Sequence, residues 1–322
     1  MRPLLDWPEA DRRQIIGVFT DIDDTLTTDG HVPASTVAAL GALKAAGLHV
    51  IPITGRPVGW SEPFAAAWPV DAIVAENGAV ALTLQNKNSA FGNTDKRSSL
   101  SKIYQQDAAT RERNYARMQE VAARVVREVP GATVSQDSIG RETDIAIDHS
   151  EFTHLPPERI AQAVQIMQSE GMNATVSSIH INGWYGDHNK LAGARWIVRE
   201  LFGRDLSLEM DRWAYVGDST NDQLMFEAFT HSVGVANIRR FESQLTHLPR
   251  YITPSERGAG FEEFAQALLS TRVRPCGALA FRQNQSKPGR LQYDPLHPTN
   301  LAGRHVRSLR HCRCRAGAER GV

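Results

Sequence analysis

Apolar runs recur along the chain, and most are followed by a stretch with helical spacing. The first run is 15–19, and Val37, Leu40 and Leu43 after it fall on one face of a helix. Similar runs lie at 49–53, 72–75, 213–217, 232–235 and 251–253. Because continuously apolar strands alternate with helices, the pattern predicts an α/β fold with a doubly wound parallel sheet. Ligands of such sheets bind beyond the carboxyl ends of the strands.

Residues 83–185 follow a different pattern, which predicts an inserted α+β domain. Two amphipathic helices are predicted around 115–129 and 160–167, and 144–148 and 178–182 alternate strictly between apolar and polar side chains. Residues 86–110 are polar and are interpreted as a loop. The predicted domains are therefore a core of residues 1–82 and 186–271 and an insert of residues 83–185.

Strict alternation indicates strands with one buried face and one open face. The isoleucines of the two insert strands are expected to pack on the two helices; they are Ile145, Ile147, Ile179 and Ile181. The opposite face is expected to be polar and open, and it carries Asp144, Asp148, Ser178, His180 and Asn182.

Charge is unevenly distributed, although the formal net charge is zero. Residues 272–322 carry 11 Lys and Arg against 2 Asp and Glu, and residues 1–271 carry 25 against 34. The basic tail lacks periodicity and is predicted to be disordered. A metal site at His311, Cys312 and Cys314 would lack a second ligand pair, so an unstructured tail is the favoured interpretation. A further alternative is that the tail is not under functional selection, as in an altered reading frame; a chain truncated after Thr271 is then expected to fold and to remain active.

Several classes of protein are disfavoured by composition. No apolar stretch reaches the length of a membrane span, and the charged N-terminus lacks the apolar core of an export signal. All three cysteines lie in the tail, so a reducing cytoplasm is expected. The tail also lacks the interleaved aromatic residues typical of single-stranded nucleic-acid binding, and no nucleic-acid partner is expected. The sequence leaves the oligomeric state open.

Two acidic clusters follow predicted strands. Asp21, Asp23 and Asp24 come directly after the run 15–19, and a second cluster at 218–222 follows the run 213–217. Carboxylates this close repel one another unless a cation joins them. Mg²⁺ prefers one or two carboxylates with waters and phosphate oxygens, so a magnesium and phosphate site is predicted. A turn or helix N-cap would explain one of these acids, but not three.

Phosphoryl transfer needs further groups that neutralise and position the phosphate. Thr54 offers a hydroxyl at a predicted strand end, and the amide of Gly55 can donate beside it. Lys190 opens a predicted helix, where a cation opposes the helix dipole unless an anion lies nearby. Each residue also has an ordinary interpretation, a satisfied strand-end hydroxyl for Thr54 and a solvated side chain for Lys190.

Four segments together resemble the motifs of the haloacid dehalogenase-like hydrolases. They are DIDDTLT at 21–27, ITGRP at 53–57, the lysine of DHNKLAGARW at 187–196, and GDSTND at 217–222. Their order and approximate spacing match, and the resemblance covers about residues 14–271. The insert lies between the second and third motifs, as in the branch with an α/β cap (subfamily IIB). The resemblance implies a Rossmann-like core with an inserted cap.

The resemblance also implies roles for individual residues. Asp21 corresponds to the phosphate-accepting nucleophile and a Mg²⁺ ligand, and Asp23 to the general acid and base, with its carbonyl on the metal. Thr54 and Lys190 correspond to phosphate binders. Asp218 corresponds to the acidic metal ligand, and Asn221 and Asp222 correspond to residues that support the metal or orient Lys190. An acid at position 23 is typical of the phosphatases and mutases of the family.

The cap is expected to select the substrate. The candidate surface is its polar sheet face with Arg141, which suits sugar hydroxyls or a second anion, and an ordinary solvated face is the alternative. Arg56 and Asn77 lie at strand ends near the site and can equally cap turns. The sequence therefore predicts a Mg²⁺-dependent cytoplasmic phosphatase of a small phosphoester, such as a sugar phosphate, acting through an aspartyl phosphate. The alternatives are a phosphomutase resembling the phosphomannomutases and a non-catalytic protein that binds a phosphate ligand.

Overall fold

The structure is a computed structural model, and it describes residues 1–85 and 99–272. The strands are β1 Arg2–Pro3, β2 Gly17–Thr20, β3 His49–Pro52, β4 Ile73–Ala75, β5 Val80–Gln85, β6 Ser99–Tyr104, β7 Thr133–Val134, β8 Ile145–Asp148, β9 Asn173–Val176, β10 His180–Trp184, β11 Trp213–Gly217, β12 His231–Gly234 and β13 Tyr251–Ile252. The helices are α1 Glu9–Gln14, α2 Ala34–Ala45, α3 Val58–Ala67, α4 Ala108–Glu128, α5 Pro157–Ser169, α6 Lys190–Phe202, α7 Gln223–Ala228 and α8 Arg257–Leu269. None of the helices in these two ranges is long and apolar enough to cross a membrane. The predicted tail, apart from Arg272, lies outside the described residues, as do its cysteines.

The main sheet has six strands in the order β1-β13-β12-β11-β2-β3, and every neighbouring pair is parallel. Strand β2 lies between β11 and β3, so the segments that follow these three strands meet at one edge. The two sides of the sheet carry alternate residues of each strand: Val18 packs with α2 and α8, whereas Phe19 packs with α6 and α7. Helices therefore cover both faces, and the predicted doubly wound α/β class is confirmed.

A smaller sheet continues from this core. A bridge joins Ile53 to Val74 of β4, and β4, β5 and β6 form an antiparallel sheet. Residues 86–110 were interpreted as a loop, which was wrong for 108–110, the start of α4, and for 99–104, which form strand β6. Its backbone pairs with β5, which supplies order that the polar sequence does not reveal. Strand β5 crosses the predicted boundary at residue 82, and residues 86–98 lie outside the described part.

The insert contains a four-stranded antiparallel sheet in the order β7-β8-β10-β9. Ile145, Ile147 and Ile181 pack with α4 and α5, as the alternation predicts. Ile179 precedes β10 and is half-buried in a cleft instead. The opposite face is not open: Asp144, Asp148, His180 and Asn182 are at most 2% exposed, and only Ser178 remains half-exposed.

The predicted open face was therefore wrong, and the reason is its position. Asn182 at the middle of this face reaches Gly55 in the loop after β3, so the face lies against the core rather than against water. Polar side chains tolerate such burial when they are hydrogen-bonded to one another.

Candidate active site

Asp21 lies immediately beyond β2 and is almost fully buried. Its backbone N–H donates to the carbonyl of Val216, which fixes the residue against β11. The Nζ of Lys190 lies 2.6 Å from Oδ1 of Asp21 and 2.7 Å from Oδ1 of Asp222. Helix α6 begins at Lys190, so the lysine meets two anions at the helix start, where the dipole would otherwise oppose it. The structure thus joins two residues that are 169 positions apart.

Three carboxylates share this pocket with the one ammonium group. Oxygens of Asp21, Asp218 and Asp222 lie within 4.8 Å of one another, and all three residues are buried. Burial, reinforced by Asp222 and Asp23 and opposed by Lys190, raises the pKa of Asp21 to about 8. Burial and the neighbouring carboxylates raise the pKa of Asp218 well above its ordinary value. The cluster therefore has an excess of negative charge.

The donor set fits a divalent cation. Oδ2 of Asp218 accepts a hydrogen bond of 3.0 Å from Asn237, whereas Oδ1 is buried without a hydrogen-bond partner. Both oxygens of Asp222 already have partners: Oδ1 accepts from Lys190 and Tyr215, and Oδ2 accepts from the backbone N–H groups that follow β11. Asp21 and Asp218 are thus the carboxylates with capacity for an ion, and Asp222 holds the lysine and the loop.

Two predicted metal ligands lie outside this carboxylate cluster. Oδ1 of Asn221 accepts a hydrogen bond of 2.9 Å from Ser219, and the residue is partly exposed. Both carboxylate oxygens of Asp23 lie within 3.0 Å of Nε of Arg56. Their roles as ligands remain predictions.

The loop after β3 brings the second motif to the same edge. Thr54 is fully buried, and its hydroxyl accepts a 3.0 Å hydrogen bond from the backbone N–H of Arg56. The carbonyl of Thr54 accepts from the N–H of Asn77, which ties this loop to the turn after β4. A methyl group at Gly55 would lie 3.2 Å from oxygens of Asn77 and Asn182, so the loop closely contacts the cap.

Arg56 connects the predicted acid Asp23 to the cap. Its Nη1 lies 3.1 Å from Oδ2 of Asp137, and its Nη2 lies 2.9 Å from Oε1 of Glu151. Glu151 also contacts Nε2 of His180 at 2.8 Å. Arg56 therefore lies among three carboxylates, whose charges raise its already high pKa although burial opposes them.

The remaining predicted cap residues form a second buried network. Arg141 donates to Asp144 at 2.7 Å and to the carbonyl of Gly55 at 2.9 Å. Asn77 and Asn182 each donate to Oδ2 of Asp144 at 3.3 Å. These contacts hold cap and core together, so the candidate specificity residues are partnered by protein atoms in this arrangement.

Asp148 departs from the expected specificity role. Its two oxygens accept hydrogen bonds of 2.9 to 3.1 Å from four successive backbone N–H groups, those of residues 150–153. This carboxylate therefore stabilises the turn after β8, and its side chain is directed to that turn.

Several residues of the site were missed in the sequence. Asn237 and Tyr215 hold the acidic cluster, and Asp137 and Glu151 hold Arg56. Glu76, which has a φ of 48° and a buried carboxylate, accepts hydrogen bonds from the N–H groups of residues 58, 142 and 143. Burial raises its pKa, although the bond from Thr143 opposes this. The tripeptide 76–78 after a strand was the only sequence signal for it.

A cleft of about 510 Å³ opens beside Asp23, between the core and the cap. Asp24, which has a φ of 53°, lines it and lies 3.1 Å from Nε of Arg257 at the start of α8. Burial raises the pKa of Asp24, whereas Arg257 opposes this. The cleft gives a small molecule access to the side of the site that carries Asp23.

Comparison with known proteins agrees with this geometry. Residues 18–119 match the model of a family described as haloacid dehalogenase-like hydrolases, which confirms the resemblance for the first two motifs; the motifs at 187–196 and 217–222 lie outside the matched range. No curated protein sequence matches the chain significantly.

Solved structures share the fold. The sucrose-phosphatase of Synechocystis, in complex with sucrose and phosphate, aligns with a TM-score of 0.55 at 14% identity, over 80% of this chain and 98% of that one. The C-terminal domain of the trehalose-6-phosphate phosphatase of C. albicans aligns with a TM-score of 0.56 at 14% identity, over 84% and 98%. A putative HAD/COF-like hydrolase of Plasmodium vivax gives 0.57 at 15% identity, over 82% and 99%.

Proposed function

We propose that this chain, which resembles the haloacid dehalogenase-like hydrolases, is a Mg²⁺-dependent phosphatase of small phosphoesters, and that its substrates are sugar phosphates. The observation that carries the proposal is the buried cluster of three carboxylates around Lys190, in which one oxygen of Asp218 has no hydrogen-bond partner. A purely structural cluster would gain stability by losing one of these charges. Asp21 and Asp218 would hold the ion, which when bound neutralises charge on the carboxylates and on the phosphate.

The side chains have distinct roles in the proposed reaction. Asp21 attacks phosphorus, and the bond from phosphorus to the leaving alcohol breaks to give an aspartyl phosphate. Asp23, in its protonated form, gives its proton to the departing oxygen. It then takes a proton from the water that attacks phosphorus, while the bond from phosphorus to Asp21 breaks and inorganic phosphate leaves. Lys190 holds Asp21 in place and can attract the phosphate oxygens, and Thr54 and Gly55 lie at the same sheet edge. Arg56 fixes the orientation of Asp23.

Two observations support a sugar phosphate. The fold is shared with a sucrose-phosphatase and a trehalose-6-phosphate phosphatase, and a cleft beside Asp23 has room for a small polar molecule. The cap lines this cleft with the carboxylate of Glu151 and the hydroxyl of Ser150, and such groups can hydrogen-bond hydroxyls.

Phosphate release tests the proposal directly. Wild type, Asp21→Asn and the exposed control Asp211→Asn are assayed with p-nitrophenyl phosphate and with a panel of sugar phosphates, in Mg²⁺ and in chelator. We expect metal-dependent release that falls at least about 10³-fold in Asp21→Asn and is unchanged in the control. Circular dichroism verifies that each variant is folded.

Two results would contradict the proposal. Equal release from wild type and Asp21→Asn would exclude Asp21 as the nucleophile. Formation of an isomeric sugar phosphate without phosphate release would favour the mutase alternative.

A further inference from the structure

The cleft beside Asp23 has an unbalanced set of charges. Among the described residues that line it are the carboxylates of Asp23, Asp24, Asp29 and Glu151 and the guanidinium groups of Arg56 and Arg257. The lining also includes His31, which is exposed at the rim. Four acids thus face two permanent cations.

The first of these cations is fully engaged. Arg56 contacts Asp23 through Nε at 2.9 Å, and its two terminal nitrogens contact Asp137 and Glu151 at 3.1 and 2.9 Å. The Arg56 side chain is only 8% exposed, so its guanidinium group cannot reorient freely toward a ligand. An anion entering the cleft would have to replace one of these carboxylates.

The second cation is also paired. Nη1 of Arg257 lies 2.6 Å from Asp29, and its Nε lies 3.1 Å from Asp24. Asp29 is 82% exposed and Arg257 25% exposed, so this pair lies at the open side of the cleft. Both guanidinium groups are thus already opposed by carboxylates, which outnumber them among the described residues of the cleft.

We propose that this cleft selects phosphoesters whose leaving group is neutral or cationic and discriminates against leaving groups that carry a second anion. This inference rests on the proposed function and narrows its substrate class to neutral polyols and amino sugars. Carboxylates accept hydrogen bonds from hydroxyl and ammonium groups, but they repel a carboxylate or a second phosphate. Glu151 and Asp29 are the residues that set the selectivity.

The size of the effect follows from the separation of the charges. One excess unit charge about 7 Å from a bound anion, at the effective dielectric constant typical of a protein surface, lowers affinity about tenfold or more. Replacing Glu151 with Gln removes a negative charge beside Arg56, so a bound anion then meets both less repulsion and a guanidinium group that is less neutralised.

Binding to Asp21→Asn protein, in which Asp21 cannot attack the ester, tests the inference separately from catalysis. Glucose 6-phosphate, glucosamine 6-phosphate and 6-phosphogluconate are titrated by calorimetry in Mg²⁺. The three share the phosphate and the six-carbon chain and differ in charge at C1 or C2. Because 6-phosphogluconate is open-chain, sorbitol 6-phosphate is titrated beside it as the neutral open-chain match. We expect 6-phosphogluconate to bind at least about tenfold more weakly than glucose 6-phosphate, and glucosamine 6-phosphate to bind at least as well.

Variants assign the effect to the cleft. Glu151→Gln and Asp29→Asn, each in the Asp21→Asn background, are expected to narrow the affinity ratio of the neutral and anionic esters severalfold. The control Glu170→Gln removes a cap carboxylate that pairs with Arg124 outside the cleft, and the ratio is expected to remain unchanged.

The outcomes separate the two proposals. Equal affinity for the three esters, no binding of any of them, or a ratio that Glu151→Gln and Asp29→Asn leave unchanged would overturn the inference, even if wild type releases phosphate. Binding ordered by charge in a protein that hydrolyses no ester would support the selectivity and overturn the proposed phosphatase activity.

Discussion

Asp218→Asn should stabilise the metal-free protein and abolish its stabilisation by Mg²⁺. Asparagine keeps an oxygen for the hydrogen bond from Asn237, and it removes one of three buried carboxylates. The amide would place an N–H where Oδ1 now lies without a hydrogen-bond partner, next to Asp21 and Asp222. The substitution therefore removes repulsion without creating a cavity.

The magnitude follows from the raised pKa of Asp218, which lies well above 3.8 because of burial and then Asp21. At pH 7.5 the raised pKa of Asp218 lowers the free energy of unfolding by at most about 5 kcal/mol, because each pH unit above the ordinary pKa of 3.8 contributes about 1.4 kcal/mol. Lys190 and relaxation of the loop offset part of this, so we expect a gain of about 1–3 kcal/mol. That gain raises Tm by roughly 2–6 °C for a chain of this size.

Thermal unfolding in chelator and in 10 mM Mg²⁺ measures both effects. A ligand at 100 times its Kd stabilises the folded state by about 2.7 kcal/mol, so Mg²⁺ should raise the Tm of wild type by about 5 °C. The Tm of Asp218→Asn should show almost none of this increase. The variant should therefore melt above wild type in chelator, whereas in Mg²⁺ its Tm should be equal to or below that of wild type. The exposed control Asp211→Asn should follow wild type in both conditions.

Two results would refute the reasoning. A variant that is less stable than wild type in chelator would mean that Asp218 is stabilised by interactions within the protein. An equal response to Mg²⁺ would mean that the ion, if it binds, does not use this carboxylate.

Three further predictions concern residues around the site. Lys190→Met leaves two buried carboxylates without their cation, so urea unfolding in chelator should show a loss of about 3–5 kcal/mol; an unchanged midpoint would contradict the ion pairing. Burial raises the pKa of Glu151, but its histidine and arginine partners lower it below 4.5, so the stability that this carboxylate contributes is present above pH 4.5 and lost below it. Glu151→Gln should therefore cost about 1 kcal/mol at pH 7, and the cost should shrink progressively as the pH falls below 4.5; a loss independent of pH would refute the assignment. Gly78→Ala should destabilise by about 1–3 kcal/mol and lower activity, because its φ is +106° and the new methyl group would lie 2.3 Å from the carbonyl oxygen of Asn189; Gly47→Ala, with a φ of +83° and open space, should cost less in the same assay.

The arrangement of the core could be predicted because its signals are local and physically simple. The run 15–19 is apolar on both faces, which marks a central parallel strand, and the acids after it must then lie at the sheet edge where ligands bind. The same rule places Thr54 and Asp218 at that edge. Lys190 joined them through the resemblance, because no property of an isolated lysine identifies its partner 169 residues away.

The cap could be predicted only in part. A period of two separates the apolar from the polar face of a sheet, but it does not tell whether water or another polar surface covers the polar face. His180 and Asn182 are buried because the core supplies their surroundings. Asn237 lies in a segment of 3₁₀ turns without a recognisable pattern, so its contact with Asp218 follows only from the folded chain.

The two acidic groups of the site differ in how completely they are satisfied, and this difference explains why they suit different chemistry. Around Lys190, three buried carboxylates share one ammonium, and Asp218 keeps an oxygen without a hydrogen-bond partner. Around Arg56, both oxygens of Asp23 and both oxygens of Glu151 already have partners. The first group can therefore reach balance only by gaining positive charge or a proton, as a metal site requires. In the second group each carboxylate oxygen of Asp23 and Glu151 already accepts a hydrogen bond, and these carboxylates can still accept hydrogen bonds from hydroxyl groups because each oxygen has a second lone pair. The proposed metal site thus lies around Asp21 and the proposed hydroxyl-binding site around Asp23, although the two residues are only two positions apart in the sequence.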